Sequence, residues 1–447
     1  MPDRIEEKII HIIDKNREDI LDFARDIFNH AELGYKEYRT ADKFTALMNK
    51  LGLRTEDKLA ITGVKGYLNE EKKDTISLAL IGEMDALRIP AHPHANPETQ
   101  AAHACGHHAQ LAGVIGAAIA LSEETVAASL DGQVVFFAVP AEEYGEIAFK
   151  NRLKAEGKIR YGGGKCELIR IGAFDDIDLS IAHHSINEGI LLGSGTGNGF
   201  VSQVVKYIGR TAHAGACPEE GVNALNAASL GLTALAYQRE TFRDEDCVRI
   251  HPILTKGGDL VNIIPNEAVV ENLIRAKTLS AMEDAYRKTT RAFKAGADAL
   301  GAGYEIETMP GYLPRIADEP CQDIADVAKL AAPDIIAEDG SRVHRGGSSD
   351  VGDLQHLQPV IQFSTGGFRG TFHTEQFEAV DEDLAYLVTA KMYALTAYRL
   401  LRDGAAAAKE IKKQYVPLLT KESYLTYMDH KMHMERKELV GNEFQEI

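Results

Sequence analysis

Three features of the sequence predict an α/β fold, a mixed and mostly parallel sheet flanked by helices, with a second, α+β domain inserted into it. They are short apolar runs bounded by turn residues, a small-residue helix lying between two such runs, and a change of texture after residue 195 that reverses near 311. A chain of 447 residues also exceeds what one hydrophobic core usually organises, so two domains are expected.

From the start, residues 4 to 50 carry helix-spaced apolar positions (Ile5, Ile9, Ile12, Ile13, Ile20, Leu21, Phe23, Ala24, Ile27, Phe28), closed by Leu51-Gly52. This spacing predicts two helices. Ser77-Leu-Ala-Leu-Ile-Gly and Gln133-Val-Val-Phe-Phe-Ala-Val read as buried strands, with a helix of Ala, Gly, Ile and Val from Leu111 to Leu121 between them. Strand, helix, strand in that order implies parallel pairing. Asp178 to His184 is a further short apolar strand. The Gly-rich stretch from Gly193 opens the insert, which carries strands over Phe200 to Ile208 and Ala268 to Ala276 and ends near Tyr312-Leu-Pro. Val360-Ile-Gln-Phe-Ser and a helix from Asp381 to Leu401 then resume the first pattern. Residues 1–195 and 311–447 are therefore expected to form one discontinuous domain, and 196–310 the insert. From about 404 a charged helical extension, with Tyr424, Tyr427, Met428 and Met432, is expected to pack against this protomer or a partner.

Composition narrows the function. Apolar residues make up 45% and charged residues 26%, the balance of a globular protein. The net charge of −18 and the lack of a Lys/Arg block argue against nucleic acid as a partner. No apolar run approaches the ~18 residues needed to span a bilayer, and Met1 to Lys15 is charged rather than signal-like, so neither membrane nor export is expected. Five widely spaced cysteines (Cys105, Cys166, Cys217, Cys247, Cys321) fit reduced thiols and a cytoplasmic location.

The chemistry-bearing residues fall at predicted strand ends. In His103-Ala-Cys-Gly-His-His108, Cys105 and His107 stand two apart around a glycine, so thiolate and imidazole can turn toward one point at the mouth of a helix. Pro140-Ala-Glu-Glu143 places two adjacent carboxylates at the C-terminal edge of a sheet, where α/β proteins build their sites. Neighbouring side chains diverge, so Glu143 can bind metal while Glu142 takes a proton from water. The strand ending in His183-His184 and the segment Gly370-Thr-Phe-His373 add imidazoles. Each segment alone has a plain structural reading, a buried cysteine or a solvated loop. Together Cys105, His107, Glu143, His184 and His373 are five ligands, more than one zinc site uses, and two divalent metal ions are the economical reading, with Cys105 able to bridge them. Thiolate and imidazole suit zinc and carboxylates suit manganese. Only one of His183 and His184 can face the site, because side chains alternate along a strand; the spacing after Asp178 favours His184.

These motifs, with Asn29-His-Ala-Glu-Leu-Gly-Tyr, Glu83-Met-Asp-Ala-Leu87, Gly209-Arg-Thr-Ala-His-Ala-Gly215, Asn262-Ile-Ile-Pro265 and Phe372-His373-Thr374, run in order over nearly the whole chain. The set resembles the metallopeptidase family of aminoacylases and carboxypeptidase G, in the branch of auxin-conjugate amidohydrolases and p-aminobenzoyl-glutamate hydrolases. The resemblance implies a catalytic domain holding two divalent cations and a lid domain that also forms a homodimer or larger homo-oligomer. It implies the same five ligands, Glu142 as general base, and His213 as the residue that steadies the oxyanion from a neighbouring subunit. Asn262 lies in a lid motif and is expected at the substrate. The implied substrate is an N-acyl amino acid or related conjugate, with a dipeptide as the alternative and a non-catalytic binding protein as the remote one.

Distant members of this family have His-x-Asp where this chain has Glu83-Met-Asp85, so Asp85 is expected to orient a ligand histidine rather than bind metal. His108 stands where the branch commonly has Asp or Asn, and is expected either beside the ligands or as an extra one. The long loop Arg88 to Ala102, with His92 and His94, is expected to be a pocket wall or a solvated loop. Arg275 and Arg369 are the candidates for binding a substrate carboxylate, because guanidinium pairs with it in bidentate fashion.

Overall fold

The computed structural model describes residues 2–439 and divides into two compact units, Met1–Thr196 with Ile316–Arg345 and Ser349–Thr420, and Gly197–Arg315 with Gly346–Ser348 and the chain from Lys421. Along the chain the main strands are β1 (Arg54–Leu59), β2 (Gly63–Leu68), β3 (Ser77–Glu83), β4 (Gln133–Val139), β5 (Leu179–Ser185), β6 (Ile190–Leu192), β7 (Gly199–Ile208), β8 (Arg249–Lys256), β9 (Glu267–Ala276), β10 (Gly303–Pro310), β11 (Ala337–Asp339), β12 (Val360–Thr365) and β13 (His433–Lys437). The helices used below are α1 (Arg4–Lys15), α2 (Arg17–Asn29), α3 (Tyr38–Lys50), α4 (His107–Leu121), α5 (Gly164–Ile171), α6 (Ala224–Gln238), α7 (Leu279–Ala299), α8 (Thr389–Leu401) and α9 (Lys421–His430).

The first unit is built on an eight-stranded sheet in the order β1-β2-β4-β3-β5-β12-β6-β11. Its four central strands, β4, β3, β5 and β12, pair in parallel, with Glu83 opposite Val139 and Ser364 opposite His184. The outer pairs β1/β2, β2/β4 and β12/β6 are antiparallel, which makes the sheet mixed. β3 and β4 are buried at every position, as continuous apolar runs covered on both faces require. Helix α4 is apolar all round and almost wholly buried, and it packs against β3, α2 and α8. The opening segment holds three helices rather than two. Asn16 ends α1 and its side chain bonds back to the Ile12 carbonyl, so the chain restarts as α2 after a single residue.

The second unit is a five-stranded antiparallel sheet, β8-β9-β7-β10-β13, with β7 paired to β9 over ten residues, Gly199 to Ile208. Helices α6 and α7 pack on it around Val205, Tyr207, Ala227, Ala228 and Phe293. Here the tail departs from the helical extension expected. Helix α9 does form, with Tyr424 and Met428 buried, but the chain then turns into β13, which pairs with β10 from Tyr304 to Thr308. Residues 421–437 thus belong to the second unit and not to the first.

Candidate metal centre

Because β3, β4, β5 and β12 run parallel, their C-terminal ends share one edge of the sheet. Asp85 follows β3, Glu142 and Glu143 follow β4, His183 and His184 close β5, and the segment to His373 follows β12. Cys105 precedes α4, which opens at Gly106. That position tolerates only glycine: φ is +84°, and a Cβ there would stand 2.2 Å from Ser185 Oγ.

The side chains meet in two groups. The donor atoms of Cys105, Glu143 and His373 lie within 4.8 Å of one another, as do those of Glu83, His107 and Glu142. His184 Nε2 is 3.6 Å from Cys105 Sγ, and His373 Nε2 is 3.3 Å from Glu143 Oε1. The two adjacent glutamates are therefore divided between the groups. His107 Nδ1 faces only acceptors, the Asp85 carbonyl at 2.8 Å and Asp85 Oδ1 at 3.1 Å. The ring proton sits on that nitrogen, which leaves the Nε2 lone pair for a ligand. Asp85 Oδ2 also accepts the Glu143 backbone N–H at 2.8 Å, so one buried carboxylate fixes members of both groups. His184 Nδ1 donates to the Ser185 carbonyl at 2.8 Å and fixes its own ring in the same sense. His183 faces away: its Nε2 is 2.7 Å from Thr365 Oγ1 and accepts the Thr365 N–H.

The residues present fit divalent cations. His107 Nε2 and Glu143 Oε1 are buried and make no well-formed hydrogen bond, each facing another candidate ligand atom instead, Glu83 Oε2 at 3.1 Å and His373 Nε2 at 3.3 Å. Burial, and after it the charge of Glu143, pushes the Cys105 thiol far up, and a cation beside it reverses that. Nitrogen, sulfur and carboxylate oxygen together suit zinc or manganese. Burial, followed by the charges of Glu83, Glu143 and Asp350, raises the Glu142 carboxyl well above the usual carboxylate range.

One part of the site escaped the sequence reading. Lys165 is fully buried, with Nζ 2.5 Å from Glu83 Oε1 and 2.7 Å from Asp350 Oδ1. The Lys165 N–H donates to Asp350 Oδ2, and Gln110 Nε2 donates to Glu83 Oε2 at 2.7 Å. Glu83 Oε2 stands 3.1 Å from His107 Nε2, so this ion triad ends directly at a ligand candidate. A signal was present in the sequence: Lys165 lies in the first turn of α5, where the helix dipole disfavours a cation unless acids compensate it.

Other expected residues fall elsewhere. His108 is buried against Phe28, Phe368 and Tyr386, with Nε2 3.2 Å from the Tyr386 hydroxyl, and it is in neither donor group. The loop after Arg88 is pinned rather than free, by His92 Nε2 on the Phe377 carbonyl and His94 Nδ1 on Asn29 Oδ1. Arg369 is exposed and paired with Glu378 across a two-residue ribbon. His213, Asn262 and Arg275 belong to the second unit. His213 is exposed and its Nδ1 accepts the N–H groups of Gly215 and Ala216, so its proton sits on Nε2. Asn262 is exposed, and its carbonyl accepts the Ala214 N–H. Arg275 is half-buried, over the Phe200 ring, with Nη1 3.4 Å from Ser348 Oγ.

The chain is similar to known proteins in sequence and in fold. The model of peptidase family M20/M25/M40 matches residues 79–399. The chain is 29% identical to mouse Xaa-Arg dipeptidase over 436 residues, 92% of each chain. It is 28% identical to IAA-amino acid hydrolase ILR1-like 4 of Arabidopsis thaliana over 418 residues, 87% of this chain and 88% of that one. A dinuclear metal-binding peptidase of the M20 family from Bacillus subtilis shares the fold, with a TM-score of 0.63 at 20% identity over 86% of this chain and 98% of that one.

Proposed function

The chain belongs to peptidase family M20/M25/M40, and from that premise we propose that it is a two-metal amidohydrolase cleaving the amide bond of an N-acyl amino acid or a related aryl or acyl conjugate. The observation that carries the reading is the division of Glu142 and Glu143 between two donor groups at one sheet edge. Cys105, His107, Glu143, His184 and His373 would hold the cations, zinc or manganese. When bound, two such ions acidify water and polarise the amide carbonyl. Glu142, buried beside the donor groups, accepts the proton of the attacking water and passes it to the leaving amine. Asp85 keeps the His107 ring and the Glu143 backbone in place throughout.

His213 is assigned to oxyanion stabilisation within a homodimer, because its Nε2–H is left as a donor. Asn262 and Arg275 are assigned to substrate. No helix among the described residues is long and apolar enough to cross a membrane, and the five cysteines are free, in keeping with a cytoplasmic location. A second reading, dipeptidase, is favoured by the likeness to mouse Xaa-Arg dipeptidase over 92% of the chain.

One screen separates the two. Protein loaded with zinc or manganese is offered N-acyl amino acids and dipeptides, including those ending in arginine, and products are identified by mass spectrometry with chelator-treated controls. Chelator-sensitive release from the acyl substrates supports the amidohydrolase; cleavage of dipeptides alone replaces it with the dipeptidase. Glu142→Gln should retain both metals and lose turnover by ~10²-fold or more, and persistent activity would remove Glu142 from the mechanism.

A further inference from the structure

Glu37 lies just before α3, wholly buried, and among the described residues its carboxyl makes no ion pair. A buried carboxyl outside any direct ion pair is costly, with the buried Lys150 ammonium acting on it only at longer range, so its place in the fold asks for a task. Its two oxygens are both engaged. Oε2 accepts the Thr62 hydroxyl at 2.7 Å, and Oε1 accepts the backbone N–H of Ala141 at 2.8 Å. Ala141 is the residue immediately before Glu142, and it is held at φ +50°, in the left-handed region that a Cβ disfavours. The Ala141 carbonyl is also fixed, by the Gly164 N–H at 3.0 Å. Gly164 admits no side chain, since a Cβ there would come 1.6 Å from the Pro140 carbonyl oxygen. The left-handed step at Ala141 comes just after β4 ends and just before Glu142 and Glu143, which enter different donor groups.

We propose that Glu37 is a positioning residue for the general base: by accepting the Ala141 N–H it holds this strained peptide and so aims Glu142. The inference rests on the reading of Glu142 as the base. It requires an acceptor at Glu37 and not a negative charge. Burial, and after it the charge of Asp85, pushes the Glu37 carboxyl up, and glutamine offers Ala141 the same acceptor oxygen without the charge.

The test is a double-variant cycle on the metal-loaded enzyme, with kcat, KM and metal content measured for each protein. Glu37→Ala should lower kcat by ~30-fold or more while KM and the metal content stay within about 2-fold. Glu37→Gln should remain within about 3-fold of wild type, its amide oxygen taking the Ala141 N–H and its amide nitrogen meeting Thr62 Oγ. Glycine occupies a left-handed conformation without steric cost, so in an Ala141→Gly background the further loss from Glu37→Ala should shrink to about 5-fold. If Glu37→Ala does not fold, Glu37→Met runs the same cycle, filling the space without accepting the N–H. An unchanged kcat in Glu37→Ala, an equal loss in the Gln variant, or an undiminished loss in the glycine background overturns the proposal. Glu142→Gln is measured alongside. Activity retained there removes the base assignment itself; if it is inactive while Glu37→Ala is as fast as wild type, only the positioning inference falls.

Discussion

Replacing Lys165 with methionine tests how the site's buried charge is held. In the folded chain the ammonium lies between Glu83 and Asp350, at 2.5 and 2.7 Å, with side-chain exposures of 0% for Lys165, 5% for Glu83 and 0% for Asp350. Removing one member of a buried ion pair typically costs about 3–5 kcal/mol, because the partner charge is left without compensation or must take up a proton. Here two carboxylates are stranded, so the upper part of that range is expected near pH 8. The loss should also depend on pH, with a definite sign. Burial first, and then Glu83, already raises Asp350 from 3.8 to about 6, so its contribution to stability is full below 3.8 and is lost as pH rises through about 6. Without Lys165 that carboxyl moves higher still, and the deficit of the variant grows from pH 5.5 to pH 8. The chain contains no tryptophan, so urea unfolding is followed by far-UV circular dichroism and tyrosine fluorescence. With two units in the chain, the comparison uses the transition that the substitution shifts. Adding Asp350→Asn to the variant should recover part of the loss. A deficit under about 1 kcal/mol at pH 8, or one independent of pH, would refute the view that this triad is a tightly compensated buried network.

Two further outcomes bear on the ligands and the substrate. Asp85→Asn removes one of the acceptors now serving His107 Nδ1 and the Glu143 N–H; metal affinity, measured by competition with a chelating dye, should fall ~10- to 100-fold, and an unchanged affinity would show that the carboxylate does not support the ligands. Of the two arginine candidates, Arg369 is already paired with Glu378 on an exposed ribbon, so Arg369→Ala should leave KM within about 2-fold, whereas Arg275→Ala should raise KM ~10-fold or more if Arg275 binds the substrate carboxylate. The reverse pattern would exchange their roles.

Much of the first unit is legible because its central strands are continuous apolar runs, each leading toward residues able to do chemistry. Gln133 to Val139 is buried at every position and leads into Pro140-Ala-Glu-Glu. Side chains alternate along β5, so His183 turns to Thr365 while His184 turns to Cys105. The tail was misread for a local reason. His433-Met-Glu-Arg-Lys437 is a charged, half-exposed edge strand whose pairing depends on β10, more than a hundred residues upstream, and its charges resemble those of a surface helix. Lys165 and Glu37 were passed over for a related reason. A charged residue in sequence reads as surface unless its partners are known, and here Asp350 is 185 residues from Lys165 and Ala141 is 104 from Glu37.

What sequence periodicity describes least well is also what builds the site, namely the backbone turns between regular elements. Gly106, Ala141 and His373 all have positive φ, at +84°, +50° and +65°, and they deliver Cys105, the two glutamates and the last histidine. Glycine explains the first without further support. Ala141 and His373 carry side chains, so their conformations persist only because a neighbour fixes the peptide: Glu37 accepts the Ala141 N–H, and the Ala104 carbonyl accepts the His373 N–H at 2.9 Å. Ala104 in turn adjoins Cys105, which ties the last histidine to the segment carrying the thiol. The two glutamates and the last histidine are thus set by hydrogen bonds to strained peptides, and a substitution at such an acceptor can disarm the site without touching a ligand.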